Sequence, residues 1–292
     1  MEIRVLQYFL AVAREQSISG AAEALFLSQP TLSRQLKDLE EELGKQLFIR
    51  GNRKITLTEE GMILRKRAEE IIELVKKAES EIALSDEMIT GNIYIGSGET
   101  DGIRLIAKAT KSLQSEYPLI HYNIISGDAI DIMERLDRGL IDFALLLDPV
   151  DVTKYHYIKF PIKDVWGVLM RRDCELADKS SISPEDLWDK PLIVSRQAVD
   201  GSELTEWLKK EKSQLNITAI YNLVYNASIL VEEGMGYALC LDKLINVTGD
   251  SQLCFKPLCP KMEIEMRLVW KKHQVFSKAA EKFLMQIHDI FK

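Results

Sequence analysis

Pro30, Ser33, Arg34 and Lys37 recur on one side of the stretch FLSQPTLSRQLKDLE (26–40). Leu32, Leu36, Leu39 and Leu43 recur on the other, at the spacing of a helix pressed on a core. The polar side carries a recognisable chemistry. A glutamine such as Gln29 presents an amide that pairs with adenine, and a guanidinium such as that of Arg34 pairs with guanine. Ser33 and Lys37 suit phosphate oxygens or base edges. The alternative is a face that only meets water, and the neighbouring elements decide between the two.

Three helices fit the first sixty residues. Val5, Leu6, Phe9, Val12 and Ala13 stripe the first, and Ser17-Ile18-Ser19-Gly20 breaks it, with Ser19 a candidate N-cap for the second. The second, AAEALF, carries Ala21 and Ala22, small enough to admit another helix. Leu27-Ser28 is the turn; Ser28 is placed to cap the third helix, and Pro30 sits in its first turn, where a missing N–H costs nothing. Two helices across a tight turn on an earlier helix make a helix-turn-helix. In LFIRGNRKITLT (47–58), Leu47 and Ile49 alternate with their neighbours, as do Ile55 and Leu57, around Gly51-Asn52. That predicts a hairpin wing with Arg50, Arg53 and Lys54 at its tip. The candidate DNA-contacting set is therefore Ser28, Gln29, Pro30, Thr31, Ser33, Arg34 and Lys37 in the major groove. Arg50, Arg53 and Lys54 of the wing are assigned to phosphates or the minor groove.

Charge agrees only locally. The 292-residue chain carries a net −7, which by itself argues against nucleic acid. Residues 1–58 hold 8 Lys/Arg against 7 Asp/Glu, and 59–90 hold 5 against 9, so any such surface is confined to the N-terminus.

This stretch resembles the LysR-type transcriptional regulators. Residues 6–61 carry the likeness, above all in AAEAL, SQPTLSRQ, LEEELG, LF and TLTEEG. The resemblance implies that Gln29, Pro30, Ser33 and Arg34 read DNA, with Arg50 and Arg53 in the wing. Gly20 departs from it, standing where members often have a larger or basic residue.

Residues 59–87 read as one long helix, with Thr58 as cap and Glu59 and Glu60 where the helix dipole favours anions. Leu64, Ala68, Ile71, Val75, Ala78 and Ile82 recur at 4, 3, 4, 3, 4, a heptad seam for pairing with a second copy, or else a stripe laid on the chain's own body. Pairing would present two recognition helices to an interrupted inverted repeat. From 91 onward strands alternate with helices, hence an α/β region. Strands are expected at GNIYIGSG, HYNIIS, LIDFALLL, WGVLM, PLIVS, GMGYALC and MEIEMRLVW. Helices are expected at 103–115, 130–138, a short one from Ser183, 204–212, 227–233 and 277–291. In the last, Ala280, Phe283, Leu284, Ile287 and Phe291 share one side.

The fold class is thus mixed: an N-terminal winged helix-turn-helix over 1–58, mainly α, a linker and dimerisation helix over 59–90, and a C-terminal α/β domain over 91–292. The family likeness continues in RLDRGLIDFALLL, EDLWDKPLIV and VEEGMGYAL. It implies a two-lobed fold similar to periplasmic binding proteins, lobe one 91–162 plus 267–292 and lobe two 163–266. It also implies assembly as dimers of dimers. Ligands of open α/β sheets sit beyond the carboxyl ends of strands. The candidate effector residues are Ser97, Gly98, Glu99, Thr100, Ser126, Gly127, Asp148, Ser195, Gln197, Tyr225 and Asn226. Acids in these segments disfavour a strongly anionic effector unless Arg104 or Arg196 offsets them.

Other chemistries find little support. Cys254 and Cys259 have four residues between them and no histidine near, so the cysteines read as buried thiols, and no metal or cofactor is expected. GSGETDG misses the dinucleotide fingerprint by one residue and reads as a tight turn. There is no GxSxG and no nucleophile–base–orienter set, so no enzyme is expected. MEIRVLQYFLAVAREQ carries Glu2, Arg4, Arg14 and Glu15, an amphipathic helix rather than a leader, and the protein is expected to be cytoplasmic with no membrane partner. The expected partners are promoter DNA, a small-molecule effector and a second copy of the chain. The rival reading is a solute-binding or enzymatic α/β protein whose N-terminal helices contact other proteins.

Overall fold

A computed structural model describes residues 1–51, 54–82, 89–200 and 203–291. The chain divides into two compact units, Met1–Leu84 and Ser85–Lys292.

The first unit holds α1 (Ile3–Glu15), α2 (Ile18–Ala24), α3 (Gln29–Leu43), a two-stranded sheet of β1 (Phe48–Arg50) and β2 (Ile55–Leu57), and α4 (Glu59–Ile82). Its core is Leu6, Phe9, Val12, Ala21, Ala22, Leu32, Leu36, Leu39, Leu47 and Phe48 with Ala68. The cap of α2 is Ser17, whose hydroxyl accepts from the Gly20 N–H at 3.2 Å; the expected cap, Ser19, lies inside the helix. A left-handed Gln16 ends α1 one residue earlier and leaves Ser17 extended, as a cap must be. Leu43 is exposed, because α3 ends there at a left-handed Gly44. In β1 the inward residue is Phe48, whose ring lies tilted at 47° against that of Phe9 with centroids 5.2 Å apart, while Ile49 is exposed. The strand starts one residue later than expected, and a shift of one turns each side chain to the other face.

Thr58 caps α4: its hydroxyl accepts from the Gly61 N–H at 2.9 Å and donates to the Gln46 carbonyl at 2.8 Å. Gly61 is required by closeness, since a Cβ there would stand 2.2 Å from the Leu47 carbonyl oxygen. Gly61→Ala is expected to destabilise this unit by about 1–3 kcal/mol, the usual cost of forced overpacking. Urea unfolding followed by helical circular dichroism checks it.

The second unit contains one continuous path of strands. β3 (Gly91–Ser97), β4 (Ile120–Ser126) and β5 (Phe143–Leu147) run parallel, and β11 (Glu263–Lys271) is antiparallel to β5. β11 then pairs with the 17-residue β6 (Tyr155–Arg171), whose far half pairs with β9 (Tyr237–Leu241) and β10 (Leu253–Pro257). β7 (Leu192–Ser195) lies parallel to both β9 and β8 (Ile217–Tyr221). β5 reads FALLL because both its faces are covered.

Helices α5 (Ile103–Glu116), α6 (Ala129–Asp137) and α10 (Lys278–Ile290) pack on the β3–β4–β5–β11 end through Ile106, Ala109 and Leu113, Ile132 and Leu136, and Ala280, Phe283 and Ile287. α7 (Arg196–Asp200), α8 (Glu203–Leu208) and α9 (Val224–Glu232) belong to the β7–β8–β9 end. β6 and β11 serve both ends. The expected helix over 204–212 stops at Leu208, where Lys209 takes φ +54. β8, β10, α7 and the first half of β6 lie outside the elements that the sequence pattern announces. No helix of the described residues is long and apolar enough to cross a membrane.

Candidate functional site

The exposed end of α3 is built from its cap. The Ser28 hydroxyl accepts from the Thr31 N–H at 3.3 Å and lies 2.7 Å from the Thr31 hydroxyl, with Pro30 in the first turn. Ser28, Gln29, Pro30 and Thr31 are exposed, and Ser33 is half-buried. Arg34 and Lys37 project outward, their side chains 84% and 70% exposed, and their partners Asp38 (3.9 Å) and Glu41 (3.1 Å) are exposed too. Such pairs contribute roughly 0–1 kcal/mol and release their cation readily to a stronger anion.

The hairpin is fastened to this helix. Glu40 on α3 accepts from the Leu47 N–H at 2.6 Å and the Phe48 N–H at 3.2 Å, and the Ile55 N–H donates to the Gln16 carbonyl at 2.9 Å. Lys54 is exposed at the strand end. Arg53 lies outside the described residues, as does the side chain of Arg50. Phe26, at the turn before α3, is 96% exposed with φ +56. No periodicity in the sequence singles it out.

The heptad positions of α4 separate into two groups. Ala68 is fully buried in its own unit's core, and Leu64 and Ile71 pack against the same core, so these three face inward rather than toward a second copy. A stripe that α1 already covers has the same spacing as a coiled-coil seam, and spacing alone does not tell them apart. Val75 is half-buried, Ala78 and Ile82 are exposed, and Ile63 and Leu74 on the neighbouring face are exposed at 66% and 38%.

In the second unit a cavity of about 380 Å³ opens among the strand ends. Gly98, Glu99, Gly127, Asp148, Ser195 and Gln197 line it. Five expected residues do not. Ser97 is buried and donates to the Gly98 carbonyl at 2.6 Å; Thr100 is buried and donates to Asp164 at 2.5 Å. Ser126, Tyr225 and Asn226 are exposed away from it. β8 ends at Tyr221 and residues from 224 are helical, so the strand-end residues are Tyr221 and Asn222, which do line the cavity. The sequence pattern does not announce β8, so its strand end lies four residues before the expected pair.

Trp166, Leu204, Leu241, Met262 and Ile264 supply an apolar wall. Asp128 forms an ion pair with Arg196 at 3.2 Å, and Asp148 one with Arg267 at 3.0 Å. Glu99 accepts from the Val224 N–H, and its burial holds its carboxyl above the usual carboxylate range. Asp164 is also raised, by burial first and against the Thr100 hydrogen bond. Cys240 is buried and its thiol is pushed up to about 12, whereas Cys254 and Cys174 are half-buried and Cys259 is exposed, so only one cysteine is the buried thiol expected. Among the described residues no three His, Cys, Asp or Glu side chains come together as a metal site.

Comparison with known proteins bears on both regions. Residues 3–62 match the family model for the bacterial regulatory helix-turn-helix protein, lysR family, and residues 87–292 match the LysR substrate binding domain. The HTH-type transcriptional regulator BsdA of Bacillus subtilis (strain 168) is 34% identical over 220 residues, 74% of each chain. The Hca operon transcriptional activator HcaR of Escherichia coli (strain K12) is 29% identical, over 94% of this chain and 93% of its own. Among solved structures, CbnR, a LysR family transcriptional regulator, aligns over 100% of both chains with a TM-score of 0.78 at 17% identity. Full-length CbnR complexed with its target DNA aligns over 99% of both with 0.77 at 17% identity, likenesses that show the fold.

Proposed function

The chain belongs to the LysR family of bacterial helix-turn-helix transcriptional regulators, and from that premise we propose how its parts divide the work. The first turn of α3 enters the major groove of promoter DNA. Gln29 and Arg34 meet base edges there, and Ser28, Thr31, Ser33 and Lys37 meet phosphates or bases beside Pro30. Lys54, with Arg50 and Arg53, holds the flanking backbone. The domain boundaries follow the elements: a DNA-binding region to Thr58, a connecting helix, and an effector-binding region from Gly91 with lobes joined through β6 and β11. The chain pairs with a second copy through the outward face of α4, using Val75, Ala78 and Ile82 together with Ile63 and Leu74. A small molecule in the cleft biases the arrangement of the two lobes, a population shift set by differential affinity. The protein is a cytoplasmic regulator and not an enzyme.

The observation that carries this reading is the outward projection of Arg34 and Lys37 from a capped helix start fastened to a hairpin, in a chain otherwise acidic. The test is binding of the whole protein to DNA flanking its own gene, titrated with salt. Expected is a steep linear fall of log affinity with log salt, since phosphate contacts release counterions. A protein that ignores every such fragment at low ionic strength is not the DNA reader described.

A further inference from the structure

The charges around the cleft restrict what it accepts. Two helices present their N-terminal ends to it: Asp128, Ala129 and Ile130 at the start of α6, and Asn222 and Val224 at the start of α9, are all lining residues. Helix starts ordinarily attract anions. Here the chain supplies both anions itself. Asp128 accepts from the Asp131 N–H at 3.0 Å, and Glu99 accepts from the Val224 N–H. A ligand carboxylate would have to displace one of them.

The bordering cations are committed as well. Arg196 holds Asp128, Arg267 holds Asp148, and Arg104 and Lys243 hold Asp101 at 2.5 and 3.6 Å. Among the described residues the lining contains three carboxylates and no lysine, arginine or histidine. Glu99 has no cation partner among the described residues. Two further lining groups lack a hydrogen-bond partner: Asp148 Oδ1, an acceptor, and Nε1 of Trp166, a donor on a side chain more than nine-tenths buried. Orphaned buried groups of this kind cost free energy until a ligand satisfies them.

We propose that the cleft takes a cationic amine on a compact apolar body, with one carbonyl or hydroxyl acceptor, and rejects carboxylates. The ammonium meets Glu99 or Asp148 Oδ1, the acceptor receives the Trp166 N–H, and the body lies on Leu204, Leu241, Met262 and Ile264. Burial raises the pKa of Glu99 against the Val224 hydrogen bond, and no neighbouring cation offsets it among the described residues. The cavity, at about 380 Å³, falls in the size range of small-molecule sites. This inference rests on the reading of the cleft as the effector site.

The experiment uses the whole protein and matched probes that each carry a hydroxyl acceptor: tyramine, tyrosol and 3-(4-hydroxyphenyl)propionate; 3-hydroxyphenethylamine, 2-(3-hydroxyphenyl)ethanol and 3-(3-hydroxyphenyl)propionate; 4-amino-2-methylbutan-2-ol, 3-methylbutane-1,3-diol and 3-hydroxy-3-methylbutanoate. Binding is read by thermal shift and calorimetry. At least one amine is expected to bind at least tenfold tighter than its carboxylate counterpart, and Glu99→Gln is expected to remove most of that preference. A carboxylate that binds as well as its amine, or failure of all three amines, overturns the proposal. Should Glu99→Gln not fold, the amine-to-carboxylate ratio in the unaltered protein decides. Ala198→Trp, or Ile130→Trp at the rim, separates the two levels of inference. Carboxylate binding that these variants abolish leaves the cleft as the effector site and refutes the charge class. Amine binding that survives them refutes the cleft.

Discussion

Arg34→Ala is expected to weaken binding to a specific operator about fivefold to 150-fold, the equivalent of losing about 1–3 kcal/mol of base discrimination. The folded unit should scarcely notice. The side chain is 84% exposed and its Asp38 partner stands 3.9 Å away, a geometry that adds little stability. The loss should fall on specific sites and spare non-specific DNA, because a base-edge contact distinguishes sequences and a phosphate contact does not. Lys37→Ala gives the contrast: weaker binding to all sequences and a salt slope reduced by about 1. Fluorescence anisotropy on matched and scrambled duplexes measures both. Unchanged operator affinity in the Arg34 variant would remove that residue from the reading surface.

Phe9→Ala is the larger perturbation. Phe9 is fully buried, and its ring sits against Phe48 at a centroid separation of 5.2 Å, joining α1 to the hairpin. Truncating a buried phenylalanine costs about 3–5 kcal/mol. For a unit of this size each kcal/mol lowers the melting midpoint by about 4–8 °C, so a drop of at least about 12 °C is expected. Operator binding should vanish with it, while ligand binding in the second unit persists. Calorimetric melting with parallel DNA and ligand titrations checks this. A variant melting within a few degrees of the parent would mean that the α1–hairpin contact is not what holds the unit together.

The helix-turn-helix was legible because its signals are local and agree. Ser28 and Pro30 mark a helix start, and the leucines spaced behind them end up buried at Leu32, Leu36 and Leu39. The α4 seam misled for the same local reason: Leu64, Ala68 and Ile71 have the period of a pairing surface, but the covering element is α1 of the same chain. The cleft was half legible. Gly98, Glu99, Gly127 and Asp148 follow recognisable strands, whereas ITAIY and LCFKP are too short and too mixed in character to announce β8 and β10. Trp166, Arg196 and Arg267 reach their places only through the crossing of β6 and β11. Long-range pairing of that kind leaves no trace in spacing along the chain.

Glu40 has a mechanical consequence. Its carboxylate grips the first amides of the hairpin while its backbone belongs to the reading helix. The two parts proposed to flank a duplex would therefore behave as the fixed jaws of a caliper rather than as fingers that adjust separately. A narrower or more curved stretch of promoter must bend to the jaw width, and its stiffness is then charged against affinity at base pairs no side chain touches.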